Sequence, residues 1–201
     1  MESDSSVELQ KLIDRFEPGD MSVKRELMRR AIQRLQRLAA KMLGESFPQL
    51  RGGHDVDSIV NETWIRLSQA LEQTSPPTVE DFFRLAAHKI RHVLLDMAAR
   101  QSRIHRREKL ACTTGEADRD AGYDEHSADP LQLAIWTEFH ARVPHLPEDE
   151  RRVFDMHYYL EIPQSEIARL TGLSARQVSR FWIKALDRLT EGIAAVDGLV
   201  V

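Results

Sequence analysis

Apolar residues recur at intervals of three and four along most of the chain, which is the period of an α-helix. The pattern predicts helices at residues 7–16, 23–43 and 56–73, and a fourth that is capped by Thr78 and runs, with at most one break, to about Arg107. No alternation typical of strands persists anywhere. The chain is therefore predicted to be all-α.

Two of these helices carry clear apolar stripes, which we expect to face a core. The stripe of the third helix consists of Val56, Ile59, Val60, Thr63, Leu67 and Leu71. The stripe of the fourth consists of Phe82, Leu85, Ala86, Val93, Leu94 and Met97.

Residues 163–189 predict a helix-turn-helix, a motif that binds DNA. Its first helix has an apolar side formed by Ile167, Ala168 and Leu170. Gly172 tolerates the left-handed backbone of the turn, and Leu173 can fill the corner between the helices. Ser174 and Gln177 have the spacing of a capping box, so the second helix should begin there.

The second helix of this motif has one apolar and one basic side. The apolar side consists of Val178, Trp182, Ala185 and Leu189. The polar side carries Ser174 at its start and then Arg176, Gln177, Arg180, Lys184 and Arg188. Arg and Gln suit base edges in the major groove, whereas Lys and the later Arg residues suit phosphates. The alternative is an amphipathic hairpin whose basic side is merely solvated.

Charge is sorted along the chain, although the 201 residues carry a net charge of only −4. Residues 84–109 hold eight basic and two acidic side chains, and residues 116–129 hold six acidic side chains and one arginine. The acidic segment is too polar to build a core, so residues 110–130 are predicted to be a flexible acidic linker. It would separate a helical domain at residues 1–109 from a second one at residues 131–201.

Other compositional features exclude several classes of protein. The lone Cys112 cannot form an internal disulfide, and no apolar run approaches the length of a membrane span. The start of the chain is acidic, without the apolar segment of a signal peptide. We expect a cytoplasmic protein without membrane insertion.

Three motifs in order resemble one family. Residues 55–67 combine an acidic start, the pair Asn61-Glu62, Trp64 and the pair Arg66-Leu67, which resembles the polymerase-binding helix of bacterial sigma factors. Residues 82–100 resemble the promoter-melting segment of the extracytoplasmic-function (ECF) group, especially its kinase-associated subgroup. Residues 146–154 and the helix-turn-helix are similar to the promoter-binding domain of that family.

This resemblance implies a two-domain sigma factor that brings core RNA polymerase to promoter DNA and helps to open it. The family assigns polymerase binding to Asp57, Asn61, Glu62, Ile65 and Arg66. It assigns the minus-ten element to Arg84, His88, Lys89, Arg91, His92, Arg100 and Arg103. The helix-turn-helix would bind the minus-thirty-five element. An anti-sigma protein or a regulatory Ser/Thr kinase is a candidate further partner. The resemblance implies no catalytic residues, metal or cofactor.

The sequence departs from the family pattern at three positions. Asn61 stands where Gln is commoner, and Ser179 and Phe181 stand where basic residues are frequent. The family's base contacts therefore cannot be transferred one by one. The acids of the linker would either imitate RNA phosphates in the polymerase cleft or keep a tether solvated.

Two other functions compete with this interpretation. A metal phosphohydrolase would use His54, Asp55, His88, His92 and Asp96, but a cluster of acids to hold a divalent ion is missing and the helix-turn-helix would have no purpose. A free-standing DNA-binding regulator would explain the second domain. It would leave two helices of the first domain without a role, the one with the acidic start and the Asn61-Glu62 pair (residues 55–67) and the basic one (residues 82–100).

Overall fold

The computed structural model describes residues 2–113 and 130–193. The part of the chain so described contains eight α-helices and no strand, in agreement with the predicted fold class. The helices are α1 Glu2–Asp14, α2 Met21–Glu45, α3 Val56–Ala70, α4 Val79–Thr113, α5 Pro130–Arg142, α6 Glu148–Phe154, α7 Gln164–Thr171 and α8 Ala175–Thr190. Short 3-10 turns at Pro48–Leu50 and Val143–His145 and a π-helical turn at Asp155–Tyr159 connect them. None of these helices is long and apolar enough to cross a membrane.

Side-chain caps explain where three of the first four helices begin. Asp20 accepts hydrogen bonds from the backbone N–H groups of Ser22 and Val23, and Asp55 accepts one from Ser58. At the start of α4, the Thr78 hydroxyl accepts a hydrogen bond from the backbone N–H of Asp81 and donates one to the Asp81 carboxylate. Each cap satisfies amide groups that the first helical turn leaves without partners.

The fourth helix differs from the prediction at its end. It is unbroken and continues to Thr113, past the predicted end at Arg107 and into the predicted linker. Lys109, Leu110 and Ala111 are good helix formers, and no glycine or proline interrupts the helix before Gly115. The remainder of the linker up to residue 129, with its six acidic residues, lies outside the described residues.

The first four helices form the first half of the molecule, residues 2–113. The predicted stripe of α3 is buried at Ile59, Val60, Thr63 and Leu67. Helix α4 is buried more widely than its predicted stripe, since Phe83, Ala87 and Ile90 are also inaccessible. The reason is that α4 contacts α1, α2 and α3 and also the second half of the molecule, residues 130–193.

One continuous hydrophobic core joins the two halves. It includes Phe47 and Leu94 from the first half and Trp136, Phe139 and Phe154 from the second. A smaller cluster, which includes Val153, Met156, Ile167 and Val178, supports the helix-turn-helix. The halves are therefore packed against each other in this structure.

His140 lies at the centre of this shared core and is fully buried. Its ring stacks on Phe47 with centroids 5.1 Å apart, and its Nδ1 lies 2.8 Å from the hydroxyl of Tyr159. Burial lowers the pKa of His140 to about 3, and the nearby positive charge of Arg91 lowers it further. The imidazole is therefore neutral in the folded protein at neutral pH.

This lowered pKa predicts a loss of stability in acid. Unfolding restores an ordinary histidine pKa, so stability is complete above about pH 6.5 and is lost as the pH falls toward the folded-state pKa. When the pH falls from about 7 to about 5.5, the free energy of unfolding should decrease by about 1 kcal/mol more in the wild-type protein than in a His140→Phe variant. Urea denaturation at both pH values measures the difference.

His145→Phe, which removes an exposed histidine, is the matched control for this experiment. Comparing each protein with itself at the two pH values cancels any loss of stability that the substitution causes at neutral pH. Equal pH dependence of wild type and His140→Phe would contradict a neutral buried His140.

Candidate nucleic-acid interface

Helix α3 presents a row of exposed side chains opposite its buried stripe. Asp57, Asn61 and Ile65 follow one another at intervals of four residues, and all three are exposed. The Ile65 side chain is a large apolar group that is 54% exposed. An exposed row of acid, amide and apolar groups has the mixed chemistry of a protein-binding surface.

The other two predicted polymerase-binding residues, Glu62 and Arg66, bind each other beside this row. The Arg66 guanidinium lies 3.0 Å from the Glu62 carboxylate and 2.8 Å from that of Asp96 on α4. Two carboxylates thus hold Arg66 in one orientation and link α3 to α4. The structure brings all five predicted polymerase-binding residues onto neighbouring parts of one helix surface.

The structure divides the seven predicted minus-ten residues by exposure. Those that are exposed are His92, Arg100 and Arg103. Those that are half-buried are Arg84, His88 and Lys89. Arg91 is different, because only 1% of it is exposed. The basic charge of α4 is therefore not one continuous solvated surface.

His88 and His92 form a pair on α4, with ring centroids 4.4 Å apart. Burial, followed by the positive charges of Arg91 and other basic neighbours, lowers the pKa of His88 to about 3 and also lowers that of His92. Both rings are thus neutral near pH 7. Within the described residues, no group of three or more His, Cys, Asp or Glu side chains is arranged to hold a metal ion.

Two arginines of α4, the half-buried Arg84 and the buried Arg91, face carboxylates from the second half. Arg84 lies 3.3 Å from Glu148 and 3.7 Å from Asp155, and Arg91 lies 3.7 Å from the other oxygen of Asp155. Burial raises the pKa of Asp155 to about 6, although Arg91 and Arg84 oppose the shift. Asp155 was not among the predicted site residues. Its position as a single acid between Phe154 and Met156 was the signal in the sequence.

The predicted helix-turn-helix region consists of α7, a glycine turn and α8. Gly172 has a φ of 72°, the left-handed conformation expected of the turn. The predicted capping box at the start of α8 is present, with Gln177 Oε1 accepting from the backbone N–H and the hydroxyl of Ser174 at 2.9 and 2.7 Å. The side-chain amide oxygen of Gln177 is therefore already bonded within the cap, and this role competes with contact to a base.

The two sides of α8 have opposite properties. Val178, Ala185 and Leu189 are completely buried, while Trp182 is partly buried against the same cores. Arg176, Arg180 and Lys184 are exposed. Arg188 is also exposed, but its guanidinium lies 2.9 Å from Glu150 of α6. Three cations are thus presented together on one side of the helix, and a fourth is paired at its end.

One protein-family model matches almost the entire chain. Residues 6–192 match a protein-family model that is described as ECF sigma factor. The matched range includes both the exposed row of α3 and the two helices on either side of Gly172. No curated protein matches the chain.

Proposed function

The chain belongs to the ECF sigma factor family and thus directs RNA polymerase to promoters, and from this premise we propose how its two halves divide that work. Residues 1–109 would bind core polymerase and then bind and help to open the minus-ten element. Residues 131–201 would bind the minus-thirty-five element, and residues 110–130 would link the two.

The exposed row of α3 supports the assignment of polymerase binding to this helix. Asp57, Asn61 and Ile65 are available to a partner, and Ile65 exposes an apolar surface that would gain from burial. Arg66, held by Glu62 and Asp96, provides a charge in a fixed position at the edge of this surface.

The exposed and half-buried side chains along α4 have the chemistry needed for unpaired DNA. Lys89, Arg100 and Arg103 would bind phosphates, whereas His88 and His92 offer flat, uncharged rings to bases. Proteins that bind single strands combine these two features, a basic surface and stacking side chains. This combination supports a role for α4 in promoter opening.

The observation that carries the proposal for the second half is the contrast between the two sides of α8. A completely buried side fixes the helix on α6 and α7, and the opposite side projects Arg176, Arg180 and Lys184. A helix held in this way after a glycine turn is the part of a helix-turn-helix that enters the major groove.

Reconstituted transcription tests the proposed function. Core polymerase is incubated with the protein and a library of random promoters, and the transcribed sequences are recovered. We expect transcripts only when both protein and core are present, from promoters that share two elements. A free-standing regulator would instead bind its DNA without core and would yield no core-dependent transcripts.

Substitutions on α8 test base recognition. Arg176 lies in the first turn, which reaches base edges, so Arg176→Ala should change the preferred upstream element. Lys184 lies further along and should contact phosphate, so Lys184→Ala should weaken binding to all sequences and reduce the slope of log affinity against log salt by about 1. Promoter selection and binding measured over a range of salt concentrations provide the two readouts.

Arg29→Ala is the matched control, since it removes an exposed arginine that is paired with Glu26 on α2, outside the helix-turn-helix. It should change neither promoter preference nor salt dependence. If Arg176→Ala retains the wild-type preference, another residue recognises the bases.

A further inference from the structure

We propose that Ile183, on the exposed side of α8, contacts the C5 methyl group of a thymine in the major groove of the minus-thirty-five element and thereby sets the preference for an A·T pair at one position. The proposal rests on the function proposed above for α8. It adds an apolar residue that determines specificity to a side of the helix whose other residues were assigned to DNA through their polar groups.

Ile183 is an exposed apolar side chain in a basic part of the helix surface. Among the described residues of α8, it is the only large apolar side chain that is exposed, to 54%. Arg180 lies one turn before it and Lys184 directly after it, and both are exposed. Isolated exposed apolar residues are common on protein surfaces, so exposure alone indicates no partner. The cations on either side are the second observation, because they suit a DNA surface that would cover Ile183.

Ile183 also has the spacing of a residue that reads bases. In homeodomains, the side chains of the recognition helix that contact bases follow one another at i, i+3, i+4 and i+7. Counted from Arg176, this series gives Ser179, Arg180 and Ile183. Seven residues advance about 10 Å along a helix, which corresponds to about two to three base pairs along the groove. Arg176 and Ile183 would therefore contact different base pairs of one element.

The polar neighbours of Ile183 leave the recognition of A·T pairs to another residue. A bidentate contact to adenine uses the amide oxygen and the amide nitrogen of Gln together, but Oε1 of Gln177 is bonded within the cap. Arg176 and Arg180 suit guanine. The Arg180 guanidinium also lies over the Phe181 ring, 5.6 Å from its centroid, which draws it toward that side of the helix. Ile183 is then the large exposed side chain of α8 whose chemistry distinguishes an A·T pair.

The thymine methyl is the apolar group that base pairs present in the major groove. Contact between this methyl and Ile183 would remove apolar surface of both partners from water. Because Ile is branched at Cβ, its χ1 angle is largely confined to one rotamer in a helix, so binding orders the side chain at little cost in entropy. A G·C pair at the same position presents polar groups, and covering these with Ile183 leaves them without hydrogen bonds. The contact would therefore favour thymine.

The test removes the thymine methyl and the isoleucine side chain separately and together. Holoenzyme formed from core polymerase and the full chain is bound to the duplex promoter that transcription of the random library selects with the wild-type protein. Each thymine of its minus-thirty-five element is replaced in turn by deoxyuridine, which lacks only the C5 methyl group. With wild type, one replacement should weaken binding about three- to fivefold, the effect of losing one contact of methyl size. This thymine should lie about two to three base pairs from the pair whose preference changes in Arg176→Ala.

Ile183→Ala should bind the unmodified promoter about three- to fivefold more weakly and should lose no further affinity with deoxyuridine at that position. Ala is a good helix former and the Ile183 side chain is exposed, so α8 should persist. Val7→Ala is the matched control, since it truncates a β-branched side chain of similar exposure, 51%, on α1. It should remain as sensitive to deoxyuridine as wild type. No loss with deoxyuridine in wild type, or a minus-thirty-five element made only of G·C pairs, would overturn the proposal.

Arg176→Ala and Lys184→Ala, measured with the same promoters, separate this proposal from the proposed function. If these two variants behave as described above while deoxyuridine weakens the binding of wild type and Ile183→Ala equally, α8 binds the minus-thirty-five element and Ile183 does not read it. If none of the three substitutions on α8 changes affinity or preference, the assignment of α8 to DNA fails, and the role of Ile183 fails with it.

Discussion

Phe154→Ala should lower the free energy of unfolding by about 3 to 5 kcal/mol, the range typical of large aromatic deletions in a packed core. Phe154 is fully buried in the core that both halves share. Its ring stacks on Tyr158 and Trp182, with centroids 5.0 and 5.8 Å away, and meets Tyr159 edge-on at 5.5 Å. Aromatic neighbours on three sides cannot all move into the space that the ring leaves, so a cavity should remain.

Urea denaturation of the full chain measures this loss. Phe181→Ala is the matched control, since it deletes the same atoms from a ring on α8 that is only partly buried. Its loss should be clearly smaller, because part of the Phe181 ring is in water already. Similar losses in the two variants would contradict the central position of Phe154 in the shared core.

The helices of the first half could be predicted because their signals are local. The stripe from Ile59 to Leu67 has the period of a helix, and caps such as Asp55 and Thr78 act within one turn. The same holds for Gly172 and for the pair Ser174 and Gln177. Each of these features depends on residues within a few positions of one another, which a sequence displays directly.

The different environments of the basic residues on α4 could not be predicted in the same way. Arg91 and Arg100 are both arginines in one basic segment, yet only Arg91 is buried. The difference arises from Asp155, more than sixty residues later, and from the packing of one half on the other. A run of charges gives the composition of a surface, but which charges are covered depends on contacts between distant segments.

For some side chains, the sequence did not show which of two possible partners they contact. Gln177 was assigned both to the capping box and to DNA, and its side-chain oxygen Oε1 is bonded within the cap. Glu62 and Arg66 were both assigned to polymerase, and they bind each other. The sequence indicates which interactions a side chain can make, whereas the geometry of the fold determines which partner it contacts.

Removing two side chains from α3 should strongly weaken polymerase binding. Asn61 is exposed, and Glu62 is partly exposed with its carboxylate on Arg66. Replacing both by Ala leaves the buried stripe intact, and Arg66 keeps its 2.8 Å contact with Asp96, so the fold should persist. If the pair belongs to a hot spot, the affinity for core polymerase should fall by about 1 to 3 kcal/mol, which is about 5- to 150-fold.

The matched control replaces Glu17 and Gln73, an exposed acid and an exposed amide that lie outside α3. Both double variants lose one negative charge and one amide, so a difference between them reports position rather than net charge. Equilibrium binding to core polymerase gives the affinities, and urea denaturation establishes that both variants are folded. The Asn61 and Glu62 variant should bind weakly while the control binds as wild type does. Normal affinity of a folded Asn61 and Glu62 variant would place the polymerase contact on another surface of the first half.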